Sequence, residues 1–156
     1  SSVVGFGFIF IELSLLQKVI FFLGVPSFGY FFTICSFLIF MALGSIISSK
    51  IPLSKAPHAL VLVVVATIIT TVGLNALWPE FIRIFSHYSV WIKFGALIPV
   101  IAPLAFLLGL PFPLGIKVME STRPGGVAIQ WAVNTATSTL GAAFALISWM
   151  FMGFVP

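Results

Sequence analysis

Apolar residues run almost unbroken through five stretches of this chain, and polar positions fall between them or at isolated points inside them. The runs extend from about Val3 to Leu23, Phe28 to Ser48, His58 to Leu77, Ile92 to Leu110 and Val127 to Phe154. As a helix, a run of this length crosses about 30 Å of hydrocarbon. The pattern predicts an all-α fold: a polytopic membrane helix bundle with about five transmembrane helices, forming one unit over residues 1–156.

The connections carry their own signals. Gly24-Val25-Pro26-Ser27 makes a tight turn and folds the first two spans into a hairpin. Gly44 and Ser48 form a small-xxx-small pair, which lets another backbone approach closely. Ser49 to Pro57 is a polar loop with Lys50 and Lys55, and Pro57 suits the first turn of the third span. Inside that span Thr67, Thr71 and Asn75 recur at helical spacing as a polar stripe facing protein. From Trp78 to Tyr88 the pattern changes. Trp78, Phe81, Ile82, Phe85 and Tyr88 share one helical face, with Glu80, Arg83 and His87 opposite, and Trp91 follows. That spacing predicts a short helix lying in the membrane interface.

The fourth run is punctuated by Pro99 and Pro103 and ends at Pro111-Phe112-Pro113. A proline removes a helical hydrogen bond and pushes the preceding residue toward extended geometry, so a break is expected at about Leu110. The fourth helix is therefore expected to be proline-broken, with neighbours arranged to satisfy the freed carbonyls. Ile116 to Gly126, with Lys117, Glu120 and Arg123, reads as a second polar connection. Trp131 and Trp149 lie about 27 Å apart along the fifth helix, one aromatic anchor per interface. Asn134, Ser138, Gly141, Ala142 and Ala145 share one face of it as a packing seam.

Composition agrees with a chain immersed in lipid: 61% of residues are hydrophobic and 6% charged. The net charge of +4 comes from scattered basic residues without aromatic interleaving, which argues against nucleic acid. Lys50, Lys55, Lys117 and Arg123 fall on the side of the N-terminus, and Arg83, Lys93 and Lys18 on the other. The difference favours a cytoplasmic N-terminus by one residue, in what is expected to be a bacterial inner membrane. Cys35 is the single cysteine, inside an apolar run, so it frames no disulfide and reads as a small buried side chain. The chain opens on Ser1-Ser2-Val3 without an initiator Met, which favours a piece of a longer protein.

Catalytic chemistry finds little to use here. There is no Asp, and Glu12, Glu80 and Glu120 fall at different depths, so paired-carboxylate catalysis is not expected. His58 and His87 lie at opposite ends of the third span, and no His or Cys pair has metal-ligand spacing. No glycine-rich turn joins a strand to a helix, so no nucleotide cofactor is expected. Among polar groups inside the spans, Glu12 lies roughly 15 Å from the near interface, close to the bilayer midplane. Thr67 and Ser138 fall at similar depth, giving a candidate intramembrane polar site of Glu12, Thr67 and Ser138. An ionised carboxylate there costs a few kcal/mol or more, so it must be paired, hydrogen-bonded or protonated. Two roles are open to it: a proton or cation site beside a broken helix, or a hydrogen-bonded group holding helices together. Lys18 is not its partner, since the two point from different faces of the helix. Pro111, Pro113 and Asn134 form a second candidate cluster, in which the Asn134 amide satisfies backbone groups freed at the break.

With those residues placed, the chain resembles the membrane-embedded part of the bacterial spermidine-synthase-like proteins. The carriers are Gly5-Phe6-Gly7-Phe8-Ile9-Phe10-Ile11-Glu12, Gln17-Lys18, Leu23-Gly24-Val25-Pro26, Gly44-Ser45, Gly109-Leu110-Pro111-Phe112-Pro113-Leu114-Gly115, and Trp131 through Asn134 to Gly141. The resemblance covers nearly the whole chain in order. It implies a helical membrane bundle of the kind fused, in that family, to a soluble aminopropyltransferase-like domain with a methyltransferase-type fold. That domain's nucleotide-binding turn and carboxylates are not in this sequence. The expected function is accordingly a non-catalytic anchor or scaffold subunit, with the lipid bilayer and other membrane subunits or a fused soluble domain as partners. The alternative expectation is a carrier or channel for a polyamine or other cation, using Glu12 and the broken fourth helix.

Overall fold

The computed structural model describes residues 2–122 and 125–152, with side chains for 5–122 and 125–147. The expectations placed on Arg123, on the Trp149 side chain and on Phe154 lie outside the described residues. Within them every regular element is helical: α1 (Ser2–Leu23), α2 (Pro26–Ser49), a 3₁₀ turn (Leu53–Lys55), α3 (Ala56–Phe85), α4 (Val90–Gly109), α5 (Pro111–Thr122) and α6 (Val127–Met152). Gly24 forms the first turn at a φ of 70°, a conformation that costs glycine little, and its N–H donates to Ile20 O. Pro26 then starts α2, where its missing N–H costs nothing.

Four segments are long and apolar enough to cross a membrane: Gly5–Leu23, Pro26–Ser49, Leu53–Phe85 and Val90–Thr122. On length and composition the chain is an integral membrane helix bundle. The expected fifth span, α6, is 26 residues long, and over its described side chains, residues 127–147, it is not among those four. Gln130, Asn134, Thr135, Thr137, Ser138 and Thr139 make that part of the helix more polar.

α4 is the inner helix. Leu97, Ile101, Leu104, Ala105 and Leu108 recur at i, i+4, i+7, i+8 and i+11, and all are buried against Leu15, Val19, Phe22, Phe37 and Trp78. The two broadest interfaces pair α2 with α4 and α1 with α6, and both are built on glycine. A Cβ on Gly44 would collide with Phe106 O, and one on Gly109 would collide with Met41 O. Between α1 and α6, a Cβ on Gly141 would sit 2.9 Å from Phe6 O. Lipid tails are as apolar as the helices themselves, so close backbone packing has to supply the attraction that water supplies elsewhere. The seam expected on α6 is this interface, with Gly141 and Ala145 buried.

Two expectations need correction. No separate interfacial helix occupies Trp78 to Tyr88, because α3 runs unbroken to Phe85 with Pro79 inside it. Trp78 is buried, its ring 6.2 Å from Phe22 and 5.5 Å from Phe81. The aromatic face thus continues the register of Leu74 into the core, and that packing outweighs the one hydrogen bond lost at Pro79. The polar connection expected from Ile116 begins only after Thr122. Residues 116–122 belong to α5, an amphipathic helix with Leu114 buried, Val118 packed beside it, and Glu120, Ser121 and Thr122 exposed.

Candidate functional site

α4 ends at Gly109 and α5 starts at Pro111, separated only by Leu110. The Leu110 φ of −79° and ψ of −41° remain helical, and its N–H donates to Leu107 O at 3.3 Å. Pro111 and Pro113 occupy the first turn of α5, where N–H groups lack helical partners in any case. The two prolines therefore remove little that the helix start would have used.

Around this junction lies a cavity of about 430 Å³. Gly5, Phe8 and Ile9 of α1 face Leu108, Gly109, Phe112 and Pro113 across it, and Ser45, Asn134 and Ser138 supply the polar atoms. Its α1 wall follows the i, i+3, i+4 spacing of one helix face, and Glu12 is the next position on that face at i+7. Gly5 and Val19, seven residues to either side of Glu12, are buried. Glu12 therefore faces the bundle interior, half-buried, one turn beyond the cavity wall, with no hydrogen-bond or ion-pair partner among the described residues.

The other candidate residues divide. Ser138 Oγ donates to Gly5 O at 3.3 Å and ties α6 to α1 at the cavity edge. Thr67 is buried on α3, but its hydroxyl donates to Val63 O at 2.8 Å and nothing joins it to Glu12 or Ser138. The α3 stripe satisfies itself in the same way: Thr71 Oγ1 donates to Thr67 O and Asn75 Nδ2 to Thr71 O, each at 2.8 Å. Asn134 and Pro113 line the cavity together, yet Asn134 makes no hydrogen bond to the Leu108–Gly115 backbone. Its Oδ1 lies instead against Gly5, 2.7 Å from where a Cβ would stand. α5 meets α6 through Phe112 and Trp131, edge to face at 5.0 Å, and through Gly115 beside buried Gln130.

Sequence reading missed three polar roles. Lys117 Nζ donates to Ser48 O, Ser49 O and Ile51 O at 3.0, 2.6 and 2.9 Å, closing the C-terminal end of α2. Lys93 Nζ donates to Phe22 O at the end of α1. Thr33 is buried on α2, and its Oγ1 has no partner. No spacing rule marks a lysine that caps a helix remote in sequence, and a threonine between apolar residues looks the same whether satisfied or not. A buried hydroxyl without a partner costs stability, so Thr33→Val should raise the unfolding free energy by about 1 kcal/mol. Thermal unfolding in detergent measures it, with Thr67→Val, which removes a made hydrogen bond, as the contrasting variant.

His58 and His87 are both exposed, and no group of three His, Cys, Asp or Glu side chains is gathered as a metal site among the described residues. No family model matches this chain, and comparison with characterised proteins and with solved structures finds no match.

Proposed function

We propose that this chain is a non-catalytic membrane bundle, with α6 as its fifth span, that anchors or scaffolds a soluble domain or further membrane subunits. The observation that carries this reading is the outer face of α6. Ala128, Ala132, Thr135, Ala136, Thr139 and Ala143 are all exposed and lie opposite the side that packs on α1. Thr135 and Thr139 each return a hydrogen bond to the carbonyl four residues back, at 3.0 Å. Small residues with internally satisfied hydroxyls are what a second transmembrane helix packs against. The motif resemblance to spermidine-synthase-like membrane proteins makes a soluble aminopropyltransferase-like domain the natural cargo, in a bacterial inner membrane with a cytoplasmic N-terminus.

A second reading, a carrier for a polyamine or other cation, rests on unpartnered Glu12 beside the cavity at the α4–α5 junction. One pair of variants separates the two. Under the scaffold reading, Ala132→Phe removes co-purifying membrane partners while Glu12→Gln leaves vesicle uptake of a labelled polyamine at background. Saturable uptake that Glu12→Gln abolishes, with partners unaffected by Ala132→Phe, selects the carrier.

A further inference from the structure

Two lysine ammoniums meet one aromatic pair where α1 ends and α4 begins. Lys18 Nζ donates to Asn75 Oδ1 at 2.5 Å and lies 5.6 Å from the Trp78 ring centroid. Lys93 Nζ donates to Phe22 O at 3.4 Å and lies 5.0 Å from the Phe22 ring. The Phe22 and Trp78 rings stand edge to face with centroids 6.2 Å apart, so both cations lie against a single aromatic cluster. Both lysines are partly buried, and both donate only to neutral partners. An ammonium has three N–H donors, and each of these uses one.

The chain's three acidic residues leave this charge unbalanced. Glu80 accepts from Arg83 Nη2 at 2.6 Å in an exposed pair. Glu12 lies about 9 Å back along α1 from Lys18. Glu120 is on α5, at the end of the bundle where Lys117 closes α2. Trp91, 82% exposed and two residues before Lys93, marks this end as the headgroup level of the bilayer. Phe21, Leu77 and Ile92, the sequence neighbours of Phe22, Trp78 and Lys93, are exposed apolar side chains. Unbalanced cations with spare donors, set at headgroup level beside apolar surface, suit a phosphate that carries acyl chains rather than a free one.

We propose that Lys18 and Lys93 bind the phosphate of an anionic glycerophospholipid where the end of α1, the Asn75–Trp78 turn of α3 and the start of α4 meet. The lipid supplies the negative charge that the protein lacks there, and its acyl chains lie on the exposed apolar side chains beside the two lysines. This site is independent of the scaffold reading.

Native mass spectrometry of the purified chain in mild detergent, offered equal phosphatidylglycerol and phosphatidylcholine, tests it. Each lysine is worth about fivefold in preference for anionic lipid (about 1 kcal/mol per basic residue). The chain should therefore retain phosphatidylglycerol over phosphatidylcholine by roughly twenty-five-fold. Lys18→Gln with Lys93→Gln should bring the two lipids near parity. The Arg pair at the same positions should keep the preference, as should Lys50→Gln with Lys55→Gln at the opposite end. Equal retention of the two lipids by the unmodified chain overturns the proposal, as does an undiminished preference in the Gln pair or a control pair that loses as much. Displacement of the lipid by excess inorganic phosphate overturns it too. Should the Gln pair fail to fold, the unmodified chain still decides: the preference must fall with rising ionic strength, and a salt-independent preference sinks the site.

Discussion

Replacing Gly109 with valine should lower the stability of the bundle more than any other single change at a helix crossing. A Cβ at this position would collide with Met41 O and stand 2.8 Å from Met41 C, both backbone atoms that no rotamer change can move aside. The Gly44 side of the same crossing is equally close, against Phe106 O. α2 and α4 must therefore separate over their whole contact, opening the layer of Phe37, Leu97, Ile101 and Leu104. Even Gly109→Ala should cost about 3 kcal/mol, the upper part of the range for overpacking, and Gly109→Val more. The same substitution elsewhere should act in the opposite direction. Gly73 and Gly95 lie inside α3 and α4, and a methyl group added at either would have nothing within 4 Å of it. Alanine there should be neutral or stabilising by up to about 1 kcal/mol, through helix propensity alone. Unfolding midpoints in a detergent titration would settle the matter, and equal effects at Gly109 and Gly73 would show that the crossing is not tight.

Lys117→Met is expected to be the most damaging change at a polar residue. The last carbonyls of α2 have no helical donors, and the negative end of the helix dipole collects on them. One ammonium now meets Ser48 O, Ser49 O and Ile51 O within 3.0 Å. Those three bonds also tie α5 to the end of α2, beneath the α4–α5 junction. Methionine keeps the stem and its packing but removes the charge and all three donors. A loss of about 2–3 kcal/mol follows from charged hydrogen bonds at a partly buried site. Faster amide exchange should be confined to residues 48–55 and the first turns of α5. Stability and exchange equal to the unmodified chain would mean that water or lipid caps α2 equally well.

Several features were legible in the residues because they depend only on local pattern. Run length gave the helices, Gly24-Val25-Pro26 gave the hairpin turn, and the small residues of α6 marked a packing seam, whose partner α1 only the fold supplied. Where the pattern misled, the competing term was tertiary. Trp78-Pro79 looked like the end of a span, but burial of Trp78 against Phe22 carries α3 through the proline. Lys117 looked like a loop residue, since its partners lie far away in sequence.

The candidate site shows the same division. The residue types of Glu12, Thr67, Ser138 and Asn134 are read directly from the chain, and helical rise turns their positions into expected depths. Azimuth between helices could not. A stripe on one helix has no fixed partner until packing chooses it, and the choice separated Thr67 from Ser138 while bringing Asn134 against Gly5. By itself the sequence determined an all-helical bundle of bilayer length, since apolar periodicity and the need to satisfy backbone groups in lipid leave no other solution. Only the tertiary structure decided that α4 is the inner helix, that a cavity forms at its junction with α5, and that lysines close the ends of α1 and α2. Those outcomes depend on which glycine faces permit the closest approach, a property of pairs of helices rather than of any one of them.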